Sequence, residues 1–297
     1  MLDPAVLAQI LWTGIATSSY MVLFTIAFAL VLKVLKLWNF AQAGMMAIAF
    51  YAMYVAVNQW GLPTAAAIAF GLAATLAATL AYEVLGLRTL RARRSSSLLF
   101  FIFTLVCSEF TAYALTLVFG TEPVPLFPEI LSPTRIVAGV AVSDWDLLAV
   151  GVTILLGAAL ALYLRFSRDG QFLLAVSDSA ELAELYGIDA RRAYLVALAA
   201  ASVFACAGMY LYGSRTAVIP TAPLQLMLFA VIATLLGGMG SVLGGALAAV
   251  FLSLLQSYSV LVIPSQWQGL ILYVFLFVTI LFFPTGVRRL WNTSTRS

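Results

Sequence analysis

Leu226-Met227-Leu228-Phe229-Ala230-Val231-Ile232-Ala233-Thr234-Leu235-Leu236-Gly237-Gly238-Met239-Gly240-Ser241 lies inside a run from Thr216 to Val287 that holds no Asp, Glu, Lys or Arg. A run of that length has room for about three helices of roughly 20 residues, the length that crosses bilayer hydrocarbon. A soluble core does not need so long a charge-free stretch, so the chain is read as a membrane protein. Composition agrees: of 297 residues, 64% are hydrophobic and 9% charged, against about 25% charged in ordinary soluble domains.

Working outward, the apolar blocks divide at their polar breaks into nine candidate spans, near 10–32, 41–57, 63–86, 97–118, 147–164, 193–213, 224–237, 242–262 and 267–283. The seventh is short enough to be a half-span or a re-entrant helix, which leaves eight as the alternative count. The expected fold class is an all-α membrane protein, a polytopic bundle of eight or nine transmembrane helices in one domain, 1–297.

Cations orient the bundle, because Lys and Arg in short loops are retained on the cytoplasmic side. Of 15 such residues, all but Arg135 and Arg215 fall on alternate loops: Lys33 and Lys36; Arg88, Arg91, Arg93 and Arg94; Arg165, Arg168, Arg191 and Arg192; Arg288, Arg289 and Arg296. That places the amino terminus outside and the carboxy terminus in the cytoplasm. Residues 1–9 carry no basic region of the kind that opens a cleavable signal, so the first span is expected to be retained.

Histidine is absent, which excludes His proton relays, Ser-His-Asp hydrolysis and His metal sites. Cys107 and Cys206 sit inside predicted spans and read as small buried apolar residues. The glycines of Gly237-Gly238-Met239-Gly240-Ser241 are no phosphate loop, since no Lys follows and no strand precedes them. They read instead as a tight inter-helix turn, bordering a translocation path or serving only close helix packing. Glu83 and Glu109 lie in or near spans, where an acid is a functional candidate by default. Glu83, five residues before Arg88, reads better as an ion-paired residue at the membrane edge. Glu109 either lines a polar path or makes a structural hydrogen bond.

The polar segment 165–192 contains its own helix signature. Asp178 is expected to cap, Ser179 and Ala180 to begin the helix, Glu181 to reach back, Leu182, Leu185 and Tyr186 to form an apolar face, and Gly187 to end it. A capped helix on the arginine-rich side of a membrane protein is suited to touching another protein. On the opposite side, 119–146 is the longest loop, with Pro123, Pro125, Pro128 and Pro133 and the acids Glu122, Glu129, Asp144 and Asp146. It is either a docking surface for an external protein or a proline-stiffened connector.

Leu37-Trp38-Asn39-Phe40-Ala41-Gln42-Ala43-Gly44-Met45 resembles the Asn-Phe-Ala-His/Gln-Gly signature of permease subunits of branched-chain amino acid ABC importers. Gly170 to Gly187, Ala207-Gly208, Leu236 to Ser241 and Phe283-Pro284-Thr285-Gly286 follow that family in order, so the likeness covers roughly 10–290. Ala43 and Gly44 depart from the Gly-then-acid that many members carry after the signature's His or Gln, and Leu174 replaces an Arg common in the coupling segment.

The resemblance implies a transport subunit and not an enzyme, in a bacterial inner membrane, surrounded by lipid and with no nucleic-acid role. It would pair with a second permease, similar or identical, with two cytoplasmic ATPase subunits that bind ATP and Mg, and with an external solute-binding protein; the chain itself would hold no cofactor. Asp178, Ser179, Glu181, Leu182, Leu185, Tyr186 and Gly187 would couple to the ATPases. Asn39 and Gln42, with Phe40 shaping the wall, would line the substrate path together with Glu109, Gly237, Gly238, Gly240 and Ser241; alternatively Asn39 and Gln42 satisfy backbone groups where the chain re-enters the membrane. Solutes left open are branched-chain amino acids, urea, short amides, sugars and nucleosides. A stand-alone secondary transporter is the rival from another class, and it would not need the capped cytoplasmic helix.

Overall fold

The computed structural model describes residues 4–127, 134–137 and 139–261, and scattered positions from 264 to 281. The expected span 267–283, the Phe283-Pro284-Thr285-Gly286 motif, Glu129 and the last three arginines lie mostly or wholly outside the described residues.

Helices account for most of it: α1 Pro4–Leu35, α2 Ala41–Tyr54, α3 Thr64–Tyr82, α4 Arg88–Ala92, α5 Ser97–Phe119, α6 Asp144–Phe166, α7 Arg168–Asp178, α8 Ala180–Leu185, α9 Ala190–Gly213, α10 Ala222–Gly237 and α11 Val242–Ser259. π-Turns at Val55–Gln59 and Glu83–Leu87 extend α2 and join α3 to α4. Seven of these helical stretches are long and apolar enough to cross a membrane, and Ala222–Gly237 is a shorter apolar helix. The protein is thus an all-α, multi-pass membrane protein.

α1 is the axis of the bundle. It is the most buried span and packs against α6, α9, α10 and α11. Its side chains divide between two apolar cores, one built on Leu23, Leu30 and Val31 and the other on Phe24, Phe28 and Leu32. By contrast α3, α5 and α6 bury a small part of their surface, as expected of helices that meet lipid or another subunit.

The two ends of the bundle differ in charge. Lys33, Lys36, Arg88 to Arg94, Arg165, Arg168, Arg191 and Arg192 share one end, held by the ion pair of Arg192 with Asp169 at 3.1 Å and by Arg91 over the Tyr194 ring at 4.9 Å. At the opposite end Thr134–Val137 and Val140–Ser143 pair as a two-stranded antiparallel hairpin, β1 and β2. The loop expected to be a docking surface or a proline-stiffened connector therefore contains a hairpin, turned at Gly139 with φ +83°.

Its last acids are not free for a partner. Asp144 and Asp146 fall in the first turn of α6, where Ser143 and Asp146 form a reciprocal capping box. The buried Asp146 carboxylate also accepts from Arg215 at 2.8 Å and from Trp12 Nε1 at 3.1 Å. It ties α1, α6 and the end of α9 together, which corrects the docking reading for Asp146; Asp144 pairs with Arg135 at 3.7 Å, and Glu122 alone of the described acids of that loop is exposed without an ion pair.

α10 and α11 form a helical hairpin. The turn uses Gly238 and Gly240, at φ +98° and +91°, values that side chains with a Cβ rarely adopt. Ser241 Oγ accepts from Gly244 N at 3.0 Å and caps α11. A Cβ on Gly237 would collide with the backbone of Gly244 and Gly245, while Gly245 faces Thr25 of α1. α1 runs on from Thr25 to Leu35, about 15 Å at 1.5 Å per residue, so the hairpin turns inside the bundle before reaching the basic end. The tight inter-helix turn expected of these glycines is present.

Candidate functional site

The bend between α1 and α2 brings amides into an apolar interior. α1 ends at Leu35, Lys36 takes the left-handed conformation at φ +54°, and α2 starts at Ala41. Thr104 of α5 pins the bend, donating to Trp38 O and accepting from Phe40 N, each at 3.2 Å. Phe40 turns to Phe101, edge to face at 5.3 Å between ring centroids. It packs in the apolar core and is not among the residues that line the cavity beside Asn39.

Asn39 and Gln42 point into a cavity of about 20 Å³ shared with Thr79 and Tyr82 of α3 and Ser202 of α9. Tyr82 donates its hydroxyl to Asn39 Oδ1 at 3.1 Å, and the hydroxyls of Thr79 and Ser202 bond each other at 2.9 Å. Gln42 is 5% exposed, and neither its Oε1 nor its Nε2 has a partner among the described residues. Neither side chain bonds a backbone group among the described residues.

An unsatisfied buried polar group costs about 1–3 kcal/mol, and Gln42 carries two such atoms. The cavity slightly exceeds the ~10–15 Å³ that admits a single water and is far too small for an amino acid. The cluster forms a narrow uncharged constriction between α1, α2, α3 and α9, with amides and hydroxyls set among apolar side chains. Thr79, Tyr82 and Ser202 were not singled out in the sequence. Isolated hydroxyls on apolar helices are common, and only the packing of α3 and α9 on α2 makes these three a group.

The other path candidates lie elsewhere. Glu109 is half-buried in a separate small cavity with Gly44, Ser108 and the start of α10 at Thr221 and Pro223. Gly237, Gly238, Gly240 and Ser241 line neither cavity and belong to the α10 hairpin turn. Glu83 is buried and pairs with Arg91, not Arg88. The stretch Glu83–Leu87 that leads to Arg88 is a π-turn, so α-helical spacing does not set which arginine faces Glu83.

The segment 165–192 holds two helices where one was expected. Ser167 caps α7 through Gly170 N at 2.9 Å, and Leu173 and Val176 pack inward. α7 continues through Asp178, so Asp178 is its last residue and not a cap. The extended residue is Ser179, at φ −154° and ψ 112°, whose Oγ accepts from Leu182 N at 3.3 Å. Its own N–H already donates to Ala175 O, which leaves Glu181 nothing to reach back to. α8 ends as expected on Gly187 at φ +80°. Ala183 is buried, whereas Leu182, Leu185 and Tyr186 are 59%, 82% and 86% exposed, an apolar knob standing off the basic end.

Among the described residues, no group of three or more His, Cys, Asp and Glu gathers as metal ligands, and Cys107 and Cys206 are free thiols. The fold and these features define a polytopic membrane protein with a narrow, uncharged constriction in its interior and an exposed apolar knob at its basic end. The family described as branched-chain amino acid transport system / permease component matches residues 10–281, and the chain belongs to that family. It is 23% identical over 291 residues to the high-affinity branched-chain amino acid transport system permease protein LivH of Escherichia coli, covering 94% of each chain. With the corresponding permease protein BraD of Pseudomonas aeruginosa it shares 25% over 292 residues, again 94% of each. No solved structure matches the chain.

Proposed function

We infer that this chain is the membrane subunit of an ATP-driven importer for branched-chain amino acids or closely related small polar solutes. It pairs with a second permease, identical or similar, takes solute from an external binding protein, and is driven by two cytoplasmic ATPases that bind ATP and Mg. The basic end faces the cytoplasm, in keeping with retention of Lys and Arg there. The observation that carries the reading is the knob Leu182, Leu185 and Tyr186: large apolar side chains exposed on a short capped helix outside the apolar spans need a protein surface to cover them.

Closure of the ATPase pair moves α8, and α7 transmits the motion, since Leu173 and Val176 join the apolar core that contains α1 and α9. Those two helices also wall the cavity at Gln42, so their displacement opens or closes the constriction. ATP can shift this equilibrium only through contacts that differ between the two states. Neutral amides and hydroxyls suit a zwitterion, whose charged ends are met in such sites by helix termini and backbone groups. The test is uptake of radiolabelled leucine by cells expressing the assembled system. Uptake that requires this chain and is lost with Leu185→Asp supports the reading; uptake indifferent to the knob argues for a stand-alone transporter.

A further inference from the structure

A larger groove, with apolar walls that carry a row of uncharged polar groups, lies at the other end of α1. Between the first half of α1 and the last turns of α11 runs a groove of about 360 Å³, within the range of roughly 300–1,000 Å³ typical of small-ligand sites. Its walls are Gln9, Thr13 and Thr17 on one side and Ser253, Gln256 and Ser257 on the other, with Tyr20 at the inner end. Gln9, Thr13, Thr17 and Tyr20 recur at helical spacing and form one stripe along α1.

No charged side chain is in the lining. Ser253 is 4% exposed and its hydroxyl has no partner among the described residues. At the mouth, Gln9 is held by the backbone of Ala141 in β2, donating at 3.2 Å and accepting at 2.7 Å; at the inner end Tyr20 meets Tyr212 edge to face at 5.3 Å. Within the stripe Gln9 donates to Thr13 Oγ1 at 3.4 Å and Thr17 to Thr13 O at 2.9 Å, which leaves the Ser253 hydroxyl as the buried group of the lining that lacks a partner, a costly state away from water.

Gln256 and Ser257 belong to the last turn of α11, at the negative end of the helix dipole, where Gln256 O accepts from Ser259 Oγ. Uncharged hydroxyls and amides on the walls and a partial negative charge at one end suit a small zwitterion with an ammonium group. We propose that the groove between α1 and α11 is a water-filled solute compartment on the outer side of the constriction, holding such a zwitterion before it passes Gln42. This rests on the permease reading and adds the place and the chemical feature recognised.

The test uses the full chain in cells, with Cys107 and Cys206 replaced by Ala and one cysteine introduced. Wild-type uptake of radiolabelled leucine is measured first; its absence overturns the proposed transport function, whatever the groove does. In a transporting chain, a charged membrane-impermeant thiol reagent is expected to label Ser253→Cys at least tenfold faster than Leu247→Cys, on the exposed face of α11. Leucine at millimolar concentration is expected to slow that labelling fivefold or more, and urea to leave it unchanged. Gln256→Cys gives the same readout if Ser253→Cys abolishes uptake. Labelling no faster than at Leu247, labelling unaffected by leucine, or equal protection by urea overturns the proposal.

Discussion

Tyr82 donates its hydroxyl to Oδ1 of Asn39 across 3.1 Å, fastening α3 to the bend before α2, while Gln42 three residues on has no partner for either amide atom. The two amides of one signature therefore have different energetic roles. Asn39 is held in place, and Gln42 is carried at a cost to stability.

The contrast separates structure from transport. Gln42→Leu removes two unpaired buried atoms at similar volume, and is expected to leave thermal stability in detergent unchanged or raise it by about 1–3 kcal/mol, while lowering leucine uptake tenfold or more. Tyr82→Phe leaves Asn39 Oδ1 unpaired and is expected to lose about 1–3 kcal/mol. A Gln42→Leu protein that is less stable yet transports normally would make the cavity a packing feature.

Asp146 offers a check on the architecture of the opposite end. Asp146→Ala strands Trp12 Nε1 and the capped amide of Ser143, while the partly exposed Arg215 can turn to water, and the substitution is expected to cost about 1–3 kcal/mol, the range for leaving buried hydrogen-bonding groups unpaired. Asp146→Asn keeps the shape and should cost less. Equal thermal stability of wild type and Asp146→Ala would contradict the described network.

At the hairpin, Gly237→Ala and Gly240→Ala should differ. A methyl on Gly237 meets the backbone of Gly244 and forces α10 from α11, an overpacking worth about 1–3 kcal/mol. Gly240 has open space but a positive φ, so its substitution carries backbone strain of about 1–2 kcal/mol. Thermal unfolding of the two variants measures the order; a milder effect at Gly237 would contradict the close approach.

Leu185→Ser and Tyr186→Ser change exposed side chains and are expected to alter stability by no more than about 0.5 kcal/mol. Both should nonetheless reduce ATPase recovery with the purified chain severalfold. Normal recovery with both variants would remove the knob from the interface.

Much of the fold was legible because hydropathy and charge report on lipid directly. The candidate spans up to residue 259 appear within a few residues of their expected bounds, and the Gly238 and Gly240 turn stands where the glycines required it. Less legible were features decided by three-dimensional competition. Asp178 and Ser179 are both good caps, and which one caps depends on how far α7 extends before it. Arg91 replaces Arg88 beside Glu83 where a π-turn departs from α-helical spacing, which no apolar periodicity announces. The hairpin β1 and β2 did leave a signal, β-branched runs on either side of Gly139, beneath the prolines that dominated the reading of that loop. The hydroxyls of Thr79, Tyr82 and Ser202 carry no local signature, since their meaning comes from helices more than a hundred residues apart in sequence.

The most direct test of the central claim is affinity purification of the tagged chain in mild detergent, with mass spectrometry of the proteins that accompany it. The account predicts ATPase subunits and a permease partner, lost together when Leu185 and Tyr186 are replaced by Ser. Recovery of the chain alone under several gentle conditions, from cells in which it still supports uptake, would contradict it and favour a transporter that works without ATPases.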